Sequence, residues 1–116
     1  MIVPQTEWVM PNEYPDLRRA DEIAIDLETR DPDLKSKGSG SIIGNGEVVG
    51  IAVAVDGYKG YFPIAHEIGP NLDRKKTLEW FKDICESPAT KIFHNAMYDV
   101  CWIRNLGIKI NGLIVD

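Results

Sequence analysis

Four side chains in this chain are of types, and at spacings, that can hold a hard cation or a polar ligand: Asp26, Glu28, Asn95 and Asp99. Asp26 and Glu28 lie in Ile23-Ala24-Ile25-Asp26-Leu27-Glu28-Thr29. There Ile23, Ile25 and Leu27 alternate with Ala24, Asp26 and Glu28, the period-two pattern of a β-strand. Such a strand puts three apolar side chains on one face and both carboxylates on the other. Two acids at that spacing stand roughly 6–7 Å apart along the strand, close enough for their side chains to lean together. Carboxylates that close repel unless a cation sits between them, and hard oxygen donors suit magnesium or manganese. A strand that simply ends in a solvated Asp-Leu-Glu would have the same letters, so the pair needs a second group of residues to give it meaning.

That second group is His94-Asn95-Ala96-Met97-Tyr98-Asp99. Asn95 is placed to cap a new helix, and Asp99 then falls in its first turn, where the helix dipole favours negative charge. Taken singly, these are a cap and a dipole-complementing acid. Taken with the acid pair on a neighbouring parallel strand, they bring three carboxylates to one edge of a sheet.

The elements that must do the positioning follow from pattern. Residues 1–20 form an N-terminal arm with Pro4, Pro11 and Pro15, pinned through Trp8 and Met10, with one helical turn over Asp16–Ala20. After the acidic strand, Arg30–Gly46 is rich in Gly, Ser and Asp-Pro, a composition that predicts a mobile segment, read as a flap beside the site or as a tolerated surface insertion. Val48–Val55 is apolar on both faces, with Gly50, Ala52 and Ala54 making a small-residue face that would let a helix pack closely. Asp56-Gly57 is a hairpin signal, and Pro63 makes Tyr58–Ile64 an edge strand. A helix over Asn71–Ser87, capped by Asn71 or Asp73, carries Leu78, Phe81, Ile84 and Cys85 as its apolar stripe. Lys91–His94 is a short buried strand, a second helix runs from Ala96 to Leu106, and Ile108–Val115 is a last short strand. Strand–helix–strand crossovers are right-handed and join parallel strands. The expected order is therefore Tyr58–Ile64, Val48–Val55, Ile23–Glu28, Lys91–His94, last strand. Ligands in such sheets bind beyond the C-terminal strand ends, which brings Asp26 and Glu28 near the residues after His94.

Length and composition agree. The 116 residues suffice for one domain, and 44% hydrophobic with 27% charged content is ordinary for a soluble globular protein. The formal charge of −5 argues against a broad phosphate-binding surface and fits a cation-recruiting site. No apolar run spans a membrane and no signal peptide opens the chain, so a cytoplasmic protein with reduced Cys85 and Cys101 is expected. His66 and His94 lack metal-ligand spacing and read as packing or surface residues.

Asp26-x-Glu28, with Asn95-x-x-x-Asp99 about seventy residues later, resembles the first two motifs of the DnaQ-like 3′–5′ exonucleases. It is most similar to the proofreading domain of bacterial and phage family A DNA polymerases. Ile25–Arg30, Phe93–Asp99 and Ile114-Val115-Asp116 have counterparts there, and the resemblance runs from about Asp16 to the end. It implies an α/β, ribonuclease H-like mixed sheet, three antiparallel strands then parallel ones, with flanking helices. It also implies that residues 21–116 are the N-terminal part of an exonuclease domain, truncated before the third motif. Its mechanism uses two divalent cations, Mg²⁺ or Mn²⁺, about 4 Å apart on the scissile phosphate. By resemblance Asp26 binds both ions, Glu28 binds one and orients water, and Asp99 reaches the second through water. Thr29 and Asn95 contact the terminal nucleotide, and Tyr98 shapes its pocket. The implied partners are a single-stranded DNA 3′ end and a C-terminal polymerase region of the same longer protein. The family's fourth carboxylate, with its Tyr or His, falls beyond Asp116. Asp116 itself matches a residue that opens the next helix, so a cap is its implied role.

Two other readings use the same residues. Haloacid dehalogenase-like phosphatases also begin with a strand ending in two acids, but need Asp where this chain has Glu28. A non-catalytic ribonuclease H-like module, binding nucleic acid or a partner, shares every residue above and differs only in lacking the fourth acid.

Overall fold

The computed structural model describes residues 9–116. Its elements are β1 (Glu22–Arg30), α1 (Leu34–Lys37), α2 (Gly40–Ile43), β2 (Glu47–Val55), β3 (Tyr58–Pro63), α3 (Arg74–Glu86), β4 (Thr90–Phe93), α4 (Ala96–Asn105) and β5 (Ile114–Val115). They form one five-stranded sheet in the order β3-β2-β1-β4-β5. β1–β2 and β2–β3 are antiparallel, while β4 lies parallel to both β1 and β5. This is the α/β mixed sheet, with the order and directions expected from the hairpin and crossover rules. The β2–β3 turn is the two residues Asp56-Gly57, where Gly57 takes φ +83°, a backbone state open to a residue without Cβ.

β1 shows why the sheet has two unlike faces. Ile23, Ile25 and Leu27 are buried in one cluster with Phe81, Ile84 and Cys85 of α3 and Trp102 and Ile103 of α4. Both long helices therefore lie on the same side of the sheet. Burying each such large apolar side chain stabilises the fold by roughly 1.5–3 kcal/mol. On the other side Ala24 is exposed although its strand is the central one. Its cross-strand partners continue that open face: Ala54 and Ile92 are half-buried, and Val115, opposite Ile92, is exposed. Asp26 and Glu28 belong to this open face.

Several expectations are corrected. Trp8, expected to pin the arm, lies outside the described residues. Tyr14 does the pinning: it stacks on Phe62, its hydroxyl pairs with Thr77 Oγ1 at 2.8 Å, and Trp80 Nε1 donates to the Pro15 carbonyl. Asp16–Ala20 forms only a turn, closed by Ala20 N–H to Leu17 O, because Asp16 is taken up by Arg18. The segment over 30–46, expected as a mobile flap, instead holds the two short helices α1 and α2. Asp73, not Asn71, caps α3, accepting from Lys76 N–H at 2.9 Å; Asn71 folds back onto the His66 backbone. Lys91, fully buried in β4, donates from its ammonium to the carbonyls of Ser87 and Asn111, tying the end of α3 to the approach to β5. Burial pulls its pKa down.

Candidate active site

β1 outruns its parallel neighbour. Its pairing with β4 ends at Ile25–Phe93, while β1 continues to Arg30. Backbone donors on that side of β1 are thus open to α4, the next element after β4 in the chain. Asp99, in the first turn of α4 and only 3% exposed, accepts a hydrogen bond from the Leu27 backbone N–H, between the two acids of β1. Its carboxyl is pushed up to about 6, first by burial and then by the negative charge of Asp26, with Asp116 adding to the repulsion. Asp26 and Asp99 therefore share one electrostatic neighbourhood, as the motif spacing predicts.

Glu28, two residues along the same face, is turned to a different partner. Tyr61, in β3 and 8% exposed, donates its hydroxyl to Glu28 Oε2 at 3.4 Å. Burial, and then the Glu28 charge, raise the tyrosine pKa. The small-residue face of β2 explains how it reaches so far. Glu28 pairs in register with Gly50, and a Cβ on Gly50 would stand 1.8 Å from the Tyr61 hydroxyl oxygen. The space that Gly50 leaves receives a phenol, not the expected helix. Gly50→Ala is predicted to lower stability by about 1–2 kcal/mol, since the ring must shift in a packed setting. Denaturant unfolding checks this, and an unchanged midpoint would show that Tyr61 has room to spare.

Thr29 and Tyr98 are brought together. Their hydroxyls lie 2.8 Å apart, and Tyr98 donates to Asp31 Oδ2 at 2.7 Å. A carboxylate only accepts, so the phenol proton goes to Asp31 and Thr29 donates to the phenol oxygen. Asp31 also accepts the Gly40 N–H on both oxygens, at 3.0 and 3.1 Å, and Asn105 Nδ2 donates to the Ser41 carbonyl. One acid thus fastens the 31–46 segment onto α4, which is why a stretch of loop composition holds two helical turns. Sequence reasoning missed Asp31 because Asp31-Pro32-Asp33 reads as a turn; an acid just after a site strand was the available signal. Asp31→Ala removes these bonds, each worth about 0.5–1.5 kcal/mol or somewhat more for a charged acceptor. Faster tryptic cleavage at Lys35 and Lys37 is expected, and unchanged cleavage would locate the anchor elsewhere.

Asn95 is not brought in the same way. It is exposed and its side chain forms no capping bond. Asp116 supplies that contact, with Oδ1 accepting the Ala96 N–H at 3.3 Å. Asp116 thus sits at the start of α4, a contact the resemblance does not imply. Among the described residues no group of three or more His, Cys, Asp or Glu side chains is arranged to grip a metal ion. The donor chemistry still fits a divalent cation: all the candidate groups are hard carboxylate oxygens, and two of them repel across a buried position.

A family model described as 3′–5′ exonuclease matches residues 12–116. A DNA-directed DNA polymerase of Pseudomonas phage M6 is 41% identical, over 90% of this chain and 16% of the phage protein. The chain thus spans about a sixth of that relative's length. Among solved structures, NrnC of Brucella melitensis aligns with 78% of this chain and 37% of its own, at 18% identity and a TM-score of 0.48. No helix of the described residues is long and apolar enough to cross a membrane.

Proposed function

We propose a metal-dependent nuclease site for this chain, which belongs to the 3′–5′ exonuclease family. The site acts on the 3′ end of single-stranded DNA, within a longer polymerase that edits its own product. The observation that carries the reading is Asp99: a carboxyl buried against the Asp26 charge, bonded to the strand between Asp26 and Glu28. Such a group raises the energy of the empty fold and is relieved by a cation.

Asp26, Glu28 and Asp99 would hold Mg²⁺ or Mn²⁺. When bound, a pair of such ions supplies hydroxide from water and stabilises the departing 3′ oxygen. The protein's own groups divide the remaining work. Asp26, central on the open face, would bind both ions, Asp99 would serve the second as an ionised carboxylate, and Glu28 would bind one ion and align the attacking water. Thr29, with its proton committed to Tyr98, presents oxygen lone pairs to the terminal nucleotide, while Tyr98 walls the pocket and Asn95 contacts the same nucleotide from the surface. A fourth acid, with its Tyr or His, would come from sequence beyond residue 116, so the chain alone would be a poor nuclease.

Titration calorimetry with Mn²⁺ tests the reading. Wild type should bind weakly and Asp26→Ala should lose that binding. Equal affinity in the two would refute the site and leave the non-catalytic nucleic-acid-binding module as the better account.

A further inference from the structure

Glu28 meets a small hydrogen-bonded chain that no motif of the sequence announces. The Tyr61 hydroxyl bonds to Glu28 Oε2 at 3.4 Å and also to Nε2 of His66. His66 is held in turn by Asn71, which accepts its backbone N–H at 2.8 Å and donates to its carbonyl at 2.9 Å. The Tyr61 ring also packs edge-on to the imidazole, with centroids 5.8 Å apart. Gly50 leaves the space through which the phenol passes over β2 toward Glu28, since even one added carbon would overlap the hydroxyl.

The direction of this chain is fixed by proton count. A phenol has one proton, and an ionised carboxylate can only accept. The Tyr61 proton therefore goes to Glu28, and the imidazole must donate its Nε2–H to the phenol oxygen. We propose that Tyr61, oriented by His66 and admitted by Gly50, is a positioning residue for Glu28. It occupies Oε2 and so sets which carboxylate oxygen, Oε1, is offered to a cation. Partners that orient a ligating group are worth roughly 10–100-fold in metal affinity. The proposal rests on Glu28 being a metal ligand.

Two measurements on the full chain test it. Nitrogen-resolved histidine spectra at mildly alkaline pH should show His66 as the Nε2–H tautomer. The Nδ1–H tautomer, in which Nε2 would take the Tyr61 proton away from Glu28, overturns the proposal whether or not metal binds. Mn²⁺ titration then reads the consequence: Tyr61→Phe, which keeps the packed ring, should weaken binding about tenfold, with no further loss when added to Glu28→Gln. If Asp26→Ala weakens Mn²⁺ binding but Tyr61→Phe does not, positioning by Tyr61 is wrong and the metal site stands. If Asp26→Ala has no effect either, the metal site falls and takes this proposal with it.

Discussion

Release of the 3′-terminal nucleotide from labelled single-stranded DNA in Mg²⁺ should fall at least about a thousandfold when Asp26 becomes Ala. That factor is about 4 kcal/mol of lost transition-state stabilisation, within what a correctly held metal ion contributes. The assay belongs on the longer polymerase proposed above. Asp26 is the right position for the test because both ions would depend on it. It points to the open face of β1, away from the cluster of Ile23, Ile25 and Leu27. Its removal also lifts a negative charge from beside Asp99. Activity within about tenfold of wild type, from a protein with an unchanged melting temperature, would remove Asp26 from the chemistry.

Asp99→Asn should stabilise the metal-free chain at neutral pH. The carboxyl has a pKa of 3.8 in the unfolded chain and about 6 in the fold. Below the lower value both states hold the proton and Asp99 costs nothing. Between the two, the fold keeps a proton that the unfolded chain releases, so stability falls as pH rises through this window. Above the upper value the fold carries the full cost of a charged, buried carboxylate facing Asp26 and Asp116, of order 2–3 kcal/mol. Asn retains an oxygen for the Leu27 N–H but must house an amide, which returns about 1 kcal/mol. In a chelator at pH 7 the variant should melt about 5–10 °C higher, with the gap closing below about pH 4. Saturating Mn²⁺ should raise the wild-type melting temperature and leave the variant's unchanged. A variant less stable than wild type at pH 7 would mean that the Asp99 charge is compensated in the fold.

The parts that sequence pattern predicts and the parts it misses differ in range. Strand order came from alternation in Ile23–Leu27, the two-residue turn at Asp56-Gly57 and crossover handedness, all local or topological signals. The nearness of Asp99 to Asp26 came from the same topology. The features that went unread depend on single side chains reaching across the fold. Asp31 orders Gly40 and meets Tyr98, so the 31–46 segment owes its structure to α4 and not to its own composition. Asp116, at the far end of the chain, takes the Ala96 N–H that Asn95 was expected to satisfy. Gly50 looked like room for a helix, and no periodicity states that a tyrosine one strand away fills it.

The most direct test of the site is paramagnetic broadening by Mn²⁺ in amide spectra of this chain. Substoichiometric Mn²⁺ should first erase the signals of residues 25–29 and 96–99, around Asp26, Glu28 and Asp99, and Asp26→Ala should restore them. Broadening that instead centres on Asp31, Asp33 and Glu47, and is indifferent to Asp26, would contradict the assignment of these carboxylates to a cation-dependent exonuclease site.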